Sequence, residues 1–537
     1  MRIPAIFATL VLLVPALAQE PEEGEAPEGG EPYEDVPLLN IIGLDTGPGV
    51  SIQVTNTAVY RLHDYAYING GFDKVYGLQS FEDDLTATLG VGDFYLAGTL
   101  RFWQPRYDNF AGELVYEADL FKWYAGYRSE EAEGYYGTIY TTFGRGLTLH
   151  LYDDPVFEDV DKFIQGFYGR LDLGWISATA LAGRGTYDFD PITVRTDDVR
   201  GFEISVNPFL PWIEVGGGVV SMDQHLADDF VSGEAVRKRL FMPAAHVSVT
   251  TDYADLYAEY AQSEGYEFSG LDFAPYSGEA VYASAVGYLG RNSLIIEYKS
   301  YDHFYNPWNA PPEVSFSGKP LDSSSHTGID EEGYLARLTV SPFVGLSFSG
   351  GYCDAWDSRR ERERPEYGGE VRWDAWPWHV VGGVWLHDES YEVGDTGTDA
   401  YYLYERTELW PDLEASYTFE NGHSLALHFR FETIDTHEVL GTDLETERNE
   451  QNPQGSLTYN WPEYFSATVS AQYAMGELRL NETRDYWLSG EVTVHLGPDH
   501  DLTFYYGNQR GGLVCSGGVC REELPFDGLK IMLESRI

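Results

Sequence analysis

From about residue 48 onward the chain alternates apolar and polar positions with period two. Phe465, Ala467, Val469, Ala471 and Tyr473 fall on one side, and Ser466, Thr468, Ser470 and Gln472 on the other. Leu425, Leu427, Phe429 and Phe431 alternate with Ala426, His428 and Arg430, and Leu413, Ala415, Tyr417 and Phe419 with Glu414, Ser416 and Thr418. Leu488, Gly490, Val492, Val494 and Leu496 alternate with Ser489, Glu491, Thr493 and His495. Successive side chains of a strand point to opposite faces, so each run predicts a strand with one greasy and one wet face. The runs span about 10–12 residues, enough for a tilted strand to cross hydrocarbon and longer than the usual strand of a soluble sheet.

The connections predicted between strands are short and long in turn. Short ones fall at Asn207–Pro211, Thr251-Asp252, Gly290–Asn292, Ser341-Pro342, Asp374–Pro377, Asn421–His423, Trp461–Glu463 and Gly497–Asp499, rich in the residues tight turns require. Longer acidic loops are expected near 185–199, 223–239, 264–278, 302–331, 355–365, 389–400, 435–450, 476–484 and 510–524. One-sided loop length is the mark of an outer-membrane barrel, and no fixed repeat supports a propeller. Counted back from the C-terminus, the pattern gives about 18 strands after residue 174 and six to eight before it. The expected fold is all-β, a transmembrane antiparallel β-barrel of about 24–26 strands over residues 48–537. An even number places both termini in the periplasm and the long loops outside.

Residues 1–18 read as a signal peptide: Arg2, an apolar stretch from Ile3 to Leu13, and an Ala16-Leu17-Ala18 cleavage site. Residues 19–47 read as a disordered acidic periplasmic tail, with eight acids and no base between Glu20 and Asp35. No plug domain of the TonB-dependent receptor kind fits there. After residue 20 no apolar run is long enough for a membrane helix.

Composition supports the barrel. Of 537 residues 40 are Tyr and 57 Gly, with only 5 Met and 3 Cys. The 87 acids outnumber the 34 Lys and Arg, a formal charge of −53 that excludes nucleic acid as a partner and favours cations near a mouth.

One stretch departs from plain alternation. Gly137-Thr138-Ile139-Tyr140-Thr141-Thr142-Phe143-Gly144-Arg145-Gly146-Leu147 resembles the G-x-x-Y-x-x-F-G-x-G-L segment of a large family of outer-membrane barrels known only as a domain of unknown function. Val91–Tyr95 and Gly166–Arg170 fit the same neighbourhood, so the resemblance covers about residues 80 to 185. It implies a barrel and an outer-membrane location, and no activity. Phe143, Gly144, Arg145 and Gly146 are the candidates for a segment folded into the lumen, the other reading being a barrel corner.

Candidate chemistry is sparse. Cys515 and Cys520 would form a disulfide at a loop tip, and Cys353 would be a buried or lipid-facing thiol. Asp153, Asp154, Asp159 and Asp161 are oxygen ligands of the type calcium takes, but no cluster completes the spacing of a calcium loop, and solvated charge explains them as well. Gly528, Ile531 and Leu533, with Ile537 in place of the usual terminal aromatic, resemble the signal read by the outer-membrane insertion machinery. Arg237-Lys238-Arg239 suits lipopolysaccharide phosphates, so the expected partners are outer-membrane lipids, that machinery, and a plug or periplasmic partner for so wide a barrel. No cofactor and no catalytic motif is expected. The reading is a channel or transport component for a polar solute or polymer. A surface scaffold binding a protein or glycan is the alternative, and an outer-membrane hydrolase is less favoured.

Overall fold

The computed structural model describes most residues from 44 to 536, apart from short stretches of which the longer are 108–113, 153–161, 226–236, 322–329, 394–400 and 477–484. The proposed signal peptide and almost all of the acidic tail lie outside the described residues. One antiparallel sheet of 26 strands includes two two-residue pieces, Leu44–Asp45 and Met475–Gly476; the other 24 form the wall. Each wall strand pairs with its neighbour in the chain. The first, Val50–Ile68, also pairs with the last, Phe526–Arg536, from Thr55↔Arg536 to His63↔Gly528. That pairing closes the barrel and leaves the wall no open edge, the arrangement in which every ladder hydrogen bond is made between strands.

The alternation reads onto the wall as expected. Val469 is 58% exposed and its neighbour Thr468 4%; Leu488 is 57% exposed and Ser489 7%. Large apolar side chains are exposed all around the outer face, and Trp175, Trp212, Tyr253 and Trp376 stand at the short-turn ends as an aromatic girdle. In water such a surface would cost about 25 cal/mol for every Å² of apolar area; against hydrocarbon that cost vanishes. Among the described residues no helix is long and apolar enough to cross a membrane.

Several expectations about the connections change. The stretches 185–199, 264–278 and 435–450 are paired hairpins, with ladders running to Asp190↔Thr193, Ser269↔Asp272 and Leu440↔Leu444. Acidic composition had marked them as loops, but cross-strand pairing carries the strands past the belt, so wall strands run from 8 to 21 residues. Ser341-Pro342 lies inside the strand Asp330–Phe343, the turn following at 344–345 beside a register shift between Val340 and Phe343. Pro there removes a ladder donor and so marks an irregularity within the strand.

The interior departs furthest from expectation. The alternation predicts polar inward faces, such as Ser466, Thr468 and Ser470, suited to a wet lumen. Instead Leu181, Val199, Val220, Met222, Leu240 and Met242, inward from adjacent strands, form a fully or almost fully buried apolar patch. Ala261, Ala280, Tyr282, Leu335 and Cys353 continue it. Chain that leaves the wall covers this patch.

Candidate functional site

Two segments depart from the wall into the lumen. The first follows Ile139, where the strand Ala132–Ile139 ends early, and returns at Ile164. The four candidates Phe143 to Gly146 lie within this inserted stretch, and the wall continues to Ile139. Inside, Thr141–Phe143 and Leu149–Leu151 form a small hairpin. Its turn carries the Gly pair noted in the sequence. Gly144 has φ 55° and Gly146 φ 87°, left-handed conformations that favour glycine. A Cβ on Gly144 would stand 2.5 Å from Glu259 Oε1, and one on Gly146 would stand 2.8 Å from the Ala310 carbonyl oxygen.

The second segment is the stretch after Asp302, of which the described part runs chiefly through 303–316. Its sequence, with Trp308 between Asn306 and Asn309 and prolines at 311 and 312, differs in kind from the acidic loops around it. Asn309 Oδ1 accepts from the Asn306 N–H at 3.1 Å, and Asn306 Oδ1 accepts from the Trp308 N–H at 2.8 Å, fixing a tight local turn. The two segments are joined to each other. The His150 N–H donates to the Trp308 carbonyl at 2.7 Å, the Ala310 N–H to the Gly146 carbonyl at 3.1 Å, and Asn309 Nδ2 to the Leu147 carbonyl at 3.0 Å. Phe143, Leu147, Leu149, Trp308 and Phe304 then bury against the apolar patch of the wall. Each such side chain removed from water contributes about 1.5–3 kcal/mol, so the insertion is a packed core and no loose strap.

Wall carboxylates hold the inserted backbone. Glu203 Oε1 accepts from the Gly144 N–H at 2.8 Å and Glu259 Oε2 from the Arg145 N–H at 2.9 Å. Asp197 Oδ2 accepts from Trp308 Nε1 at 2.7 Å, and Glu366 Oε2 from the Phe316 N–H at 2.7 Å. Glu331 accepts from the Leu321 N–H. Charge-assisted bonds of this type are stronger than neutral ones, and here they satisfy donors that left the ladder. Buried Lys299 sits between Glu331 at 3.3 Å and Glu313 at 3.5 Å. Burial pushes the Glu313 carboxyl up to about 7, with the Lys299 ammonium pulling the other way. The Arg145 side chain remains exposed, its guanidinium 5.1 Å from the Tyr257 ring centroid.

Away from the insertion, polar pairs recur on the inner face, with Ile434, Trp487 and Tyr505 buried among them. Thr458 and Thr468 bond at 2.9 Å, Thr493 and Thr503 at 2.9 Å, and Gln472 donates to Gln454 at 2.8 Å. Arg101 grips Asp84 through two bonds of 2.9 and 2.8 Å, and Arg430 reaches Asp412 at 2.9 Å. These groups satisfy one another across neighbouring strands, and Thr458, Thr468 and Thr503 are buried there. The lumen is thus divided into a side packed with apolar side chains and a side lined by polar pairs.

The remaining sequence candidates are placed as follows. Cys515 and Cys520 are directly opposite partners in a hairpin of Gly512–Ser516 and Val519–Glu523. Opposed residues of an antiparallel pair have Cα atoms about 4.5–5.5 Å apart, inside the range a disulfide spans. Cys353 is buried and donates to Glu366 Oε2 at 3.3 Å. Gly528, Ile531 and Leu533 lie in the closing strand, opposite His63, Tyr60 and Ala58. Ile537 and the calcium candidates Asp153, Asp154, Asp159 and Asp161 lie outside the described residues.

Sequence reasoning missed a cluster at the hairpin closed by Leu440 and Leu444, where His437 meets Glu405 at 3.1 Å through Nδ1 and Glu445 at 3.1 Å through Nε2, with Glu447 beside them. It also missed the anchoring carboxylates, which come from separate strands and carry no local motif. The Asn-Pro-Trp-Asn-Ala-Pro-Pro run at 306–312 was the available signal for the second insertion.

A model of a family of unknown function, DUF6029, matches residues 413–537. The match lies in the last quarter of the chain, whereas the sequence resemblance was placed near residues 80 to 185; the G-x-x-Y-x-x-F-G-x-G-L segment falls outside it. No curated protein matches the sequence. Among solved structures, the FrpB iron transporter from Neisseria meningitidis is similar at 10% identity and TM-score 0.46, over 92% of this chain and 83% of that one. The copper transporter OprC gives 10% and 0.45 over 91% and 81%, and the P pilus usher (PapC) translocation pore 12% and 0.40 over 91% and 99%. The closed barrel is evident from strand pairing alone, independent of these likenesses.

Proposed function

We propose that this chain is an outer-membrane channel that carries its own plug, passing small polar solutes, cations above anions, along the polar side of its lumen. The observation that carries this reading is the divided interior: Gly144, Arg145 and Trp308 are tied to wall carboxylates on one side, and hydrogen-bonded polar side chains of the wall line the other. A barrel of this many strands left open would admit almost any solute, so an internal plug serves selectivity. Phe143 to Gly146 act in this reading as part of the constriction, and the carboxylates and the acidic outward hairpins concentrate cations by their summed field.

The chain enters by a signal peptide at residues 1–18, with 19–47 as a periplasmic tail and both termini on that side. Gly528, Ile531 and Leu533 guide insertion from the closing strand, and Cys515 with Cys520 staple an outward hairpin. The reading is tested by ion current through purified protein in a planar bilayer under a salt gradient. Small steps with a cation-selective reversal potential support it. A barrel that folds and inserts yet passes no current, while retaining a protein or glycan partner through its outward hairpins, would replace it with a scaffold.

A further inference from the structure

On the outer face of three strands on one side of the wall the apolar belt ends abruptly. Beyond Ile176 the outward positions of Ile176–Asp190, Ala178, Ala180 and Ala182, are small until Arg184. Along Thr193–Val206, exposed Phe202 gives way to Arg200 and Asp198, and along Arg237–Thr250, exposed Phe241 gives way to Arg239. A tilted strand crosses hydrocarbon in about 9–11 residues, which sets these charges at the outer rim of the belt. A cleft of about 670 Å³ opens there, with Arg184, Arg200, Asp198 and Gln165 on its polar side and Tyr136 and Phe167 on its apolar side. Arg184 meets Asp198 through Nε alone, at 2.9 Å. Among the described residues Arg200 has no partner.

We propose that this cleft seats the phosphorylated headgroup of an outer-leaflet lipid, the phosphate lying between Arg184 and Arg200 and an acyl chain running down over Phe167 and Phe202. Guanidinium is the side chain that matches phosphate oxygens with paired donors, and it binds them more strongly where water is thinned. Asp198 turns one edge of Arg184 toward itself and leaves the terminal nitrogens to donate. The aromatic floor excludes a purely hydrophilic anion as the preferred occupant, since exposed Phe167 would gain nothing from it. The proposal rests on the outer-membrane placement above, but on no property of the lumen.

The test is native mass spectrometry of delipidated, refolded protein offered diphosphoryl lipid A. Wild type is expected to retain one more molecule than the double variant Arg184→Gln/Arg200→Gln, whose occupancy falls at least tenfold. Ala182→Trp fills the cleft while leaving both arginines, and loses the lipid equally; Arg372→Gln, exposed elsewhere on the wall, retains it. Heat-dependent gel mobility reports folding of each variant. Equal retention by the double variant overturns the proposal. Displacement by inorganic phosphate at the lipid's own concentration also overturns it, by making the cleft a free-anion site. Loss of channel current with lipid binding intact would count against the proposed function alone.

Discussion

The indole Nε1 of Trp308 donates to Oδ2 of Asp197 at 2.7 Å, joining a fully buried insertion residue to a fully buried wall residue 111 positions away. The ring also lies where Gly185 leaves room, since a Cβ there would come within 2.1 Å of it. Trp308→Ala is expected to lower stability by about 3–5 kcal/mol. Trp308→Phe keeps most of the volume and loses the donor, with an expected cost of about 1–3 kcal/mol. The temperature at which the folded gel band disappears checks both, and single-channel steps are expected to grow in the order wild type, Phe, Ala.

Gly144 and Gly92 have nearly the same backbone, φ 55° and 58°, but different surroundings. Nothing lies within 4 Å of a Cβ on Gly92, while the Glu259 carboxylate meets one on Gly144. Gly92→Ala is therefore expected to cost only the conformational strain, about 1–2 kcal/mol. Gly144→Ala adds displacement of the Glu259 anchor, and alone of the two should raise conductance. Equal currents would show that the turn does not constrict the lumen.

The wall was legible in the sequence and the inserted segments largely were not. Alternation is a local signal, so Val469 against Thr468 or Leu488 against Ser489 could be assigned to faces from neighbours alone. Turn residues marked the short connections for the same reason. Insertion is a tertiary fact: Leu149 and Leu181 look alike as greasy residues, and only packing decides that one covers the other. The Gly144 and Gly146 pair was visible because left-handed turns select glycine. Trp308 was passed over because its loop was judged by its acidity, and Asp197 because nothing near it in sequence hints at a partner.

The raised carboxyl of Glu313 makes the second insertion sensitive to pH. Burial favours its neutral form, so the proton binds more tightly in the folded lumen than in the unfolded chain. The stability this contributes is complete below the ordinary Glu range and is lost as pH rises through about 7. Current is expected to be smaller at pH 5 than at pH 8. Glu313→Gln, neutral throughout, should stay at the low-pH value; a variant that still responds would assign the change to another group.

Cys515 and Cys520 face each other across a hairpin, and Cys353 is buried beside Glu366. Alkylation of the folded protein is expected to leave all of these thiol positions unmodified. Reduction without unfolding should expose Cys515 and Cys520 only, and unfolding should expose Cys353. Labelling of Cys515 before reduction would show that the pair is not bonded.

A transmembrane wall requires its two faces to meet different media. The most direct measurement places single cysteines at Val469 and Ser470, in a chain whose native cysteines are serine, and labels them in intact outer-membrane vesicles. Ser470→Cys is expected to react with a water-soluble maleimide, and Val469→Cys only with a reagent dissolved in the lipid. Equal reaction of both with the water-soluble reagent would contradict the transmembrane barrel and the channel proposed from it.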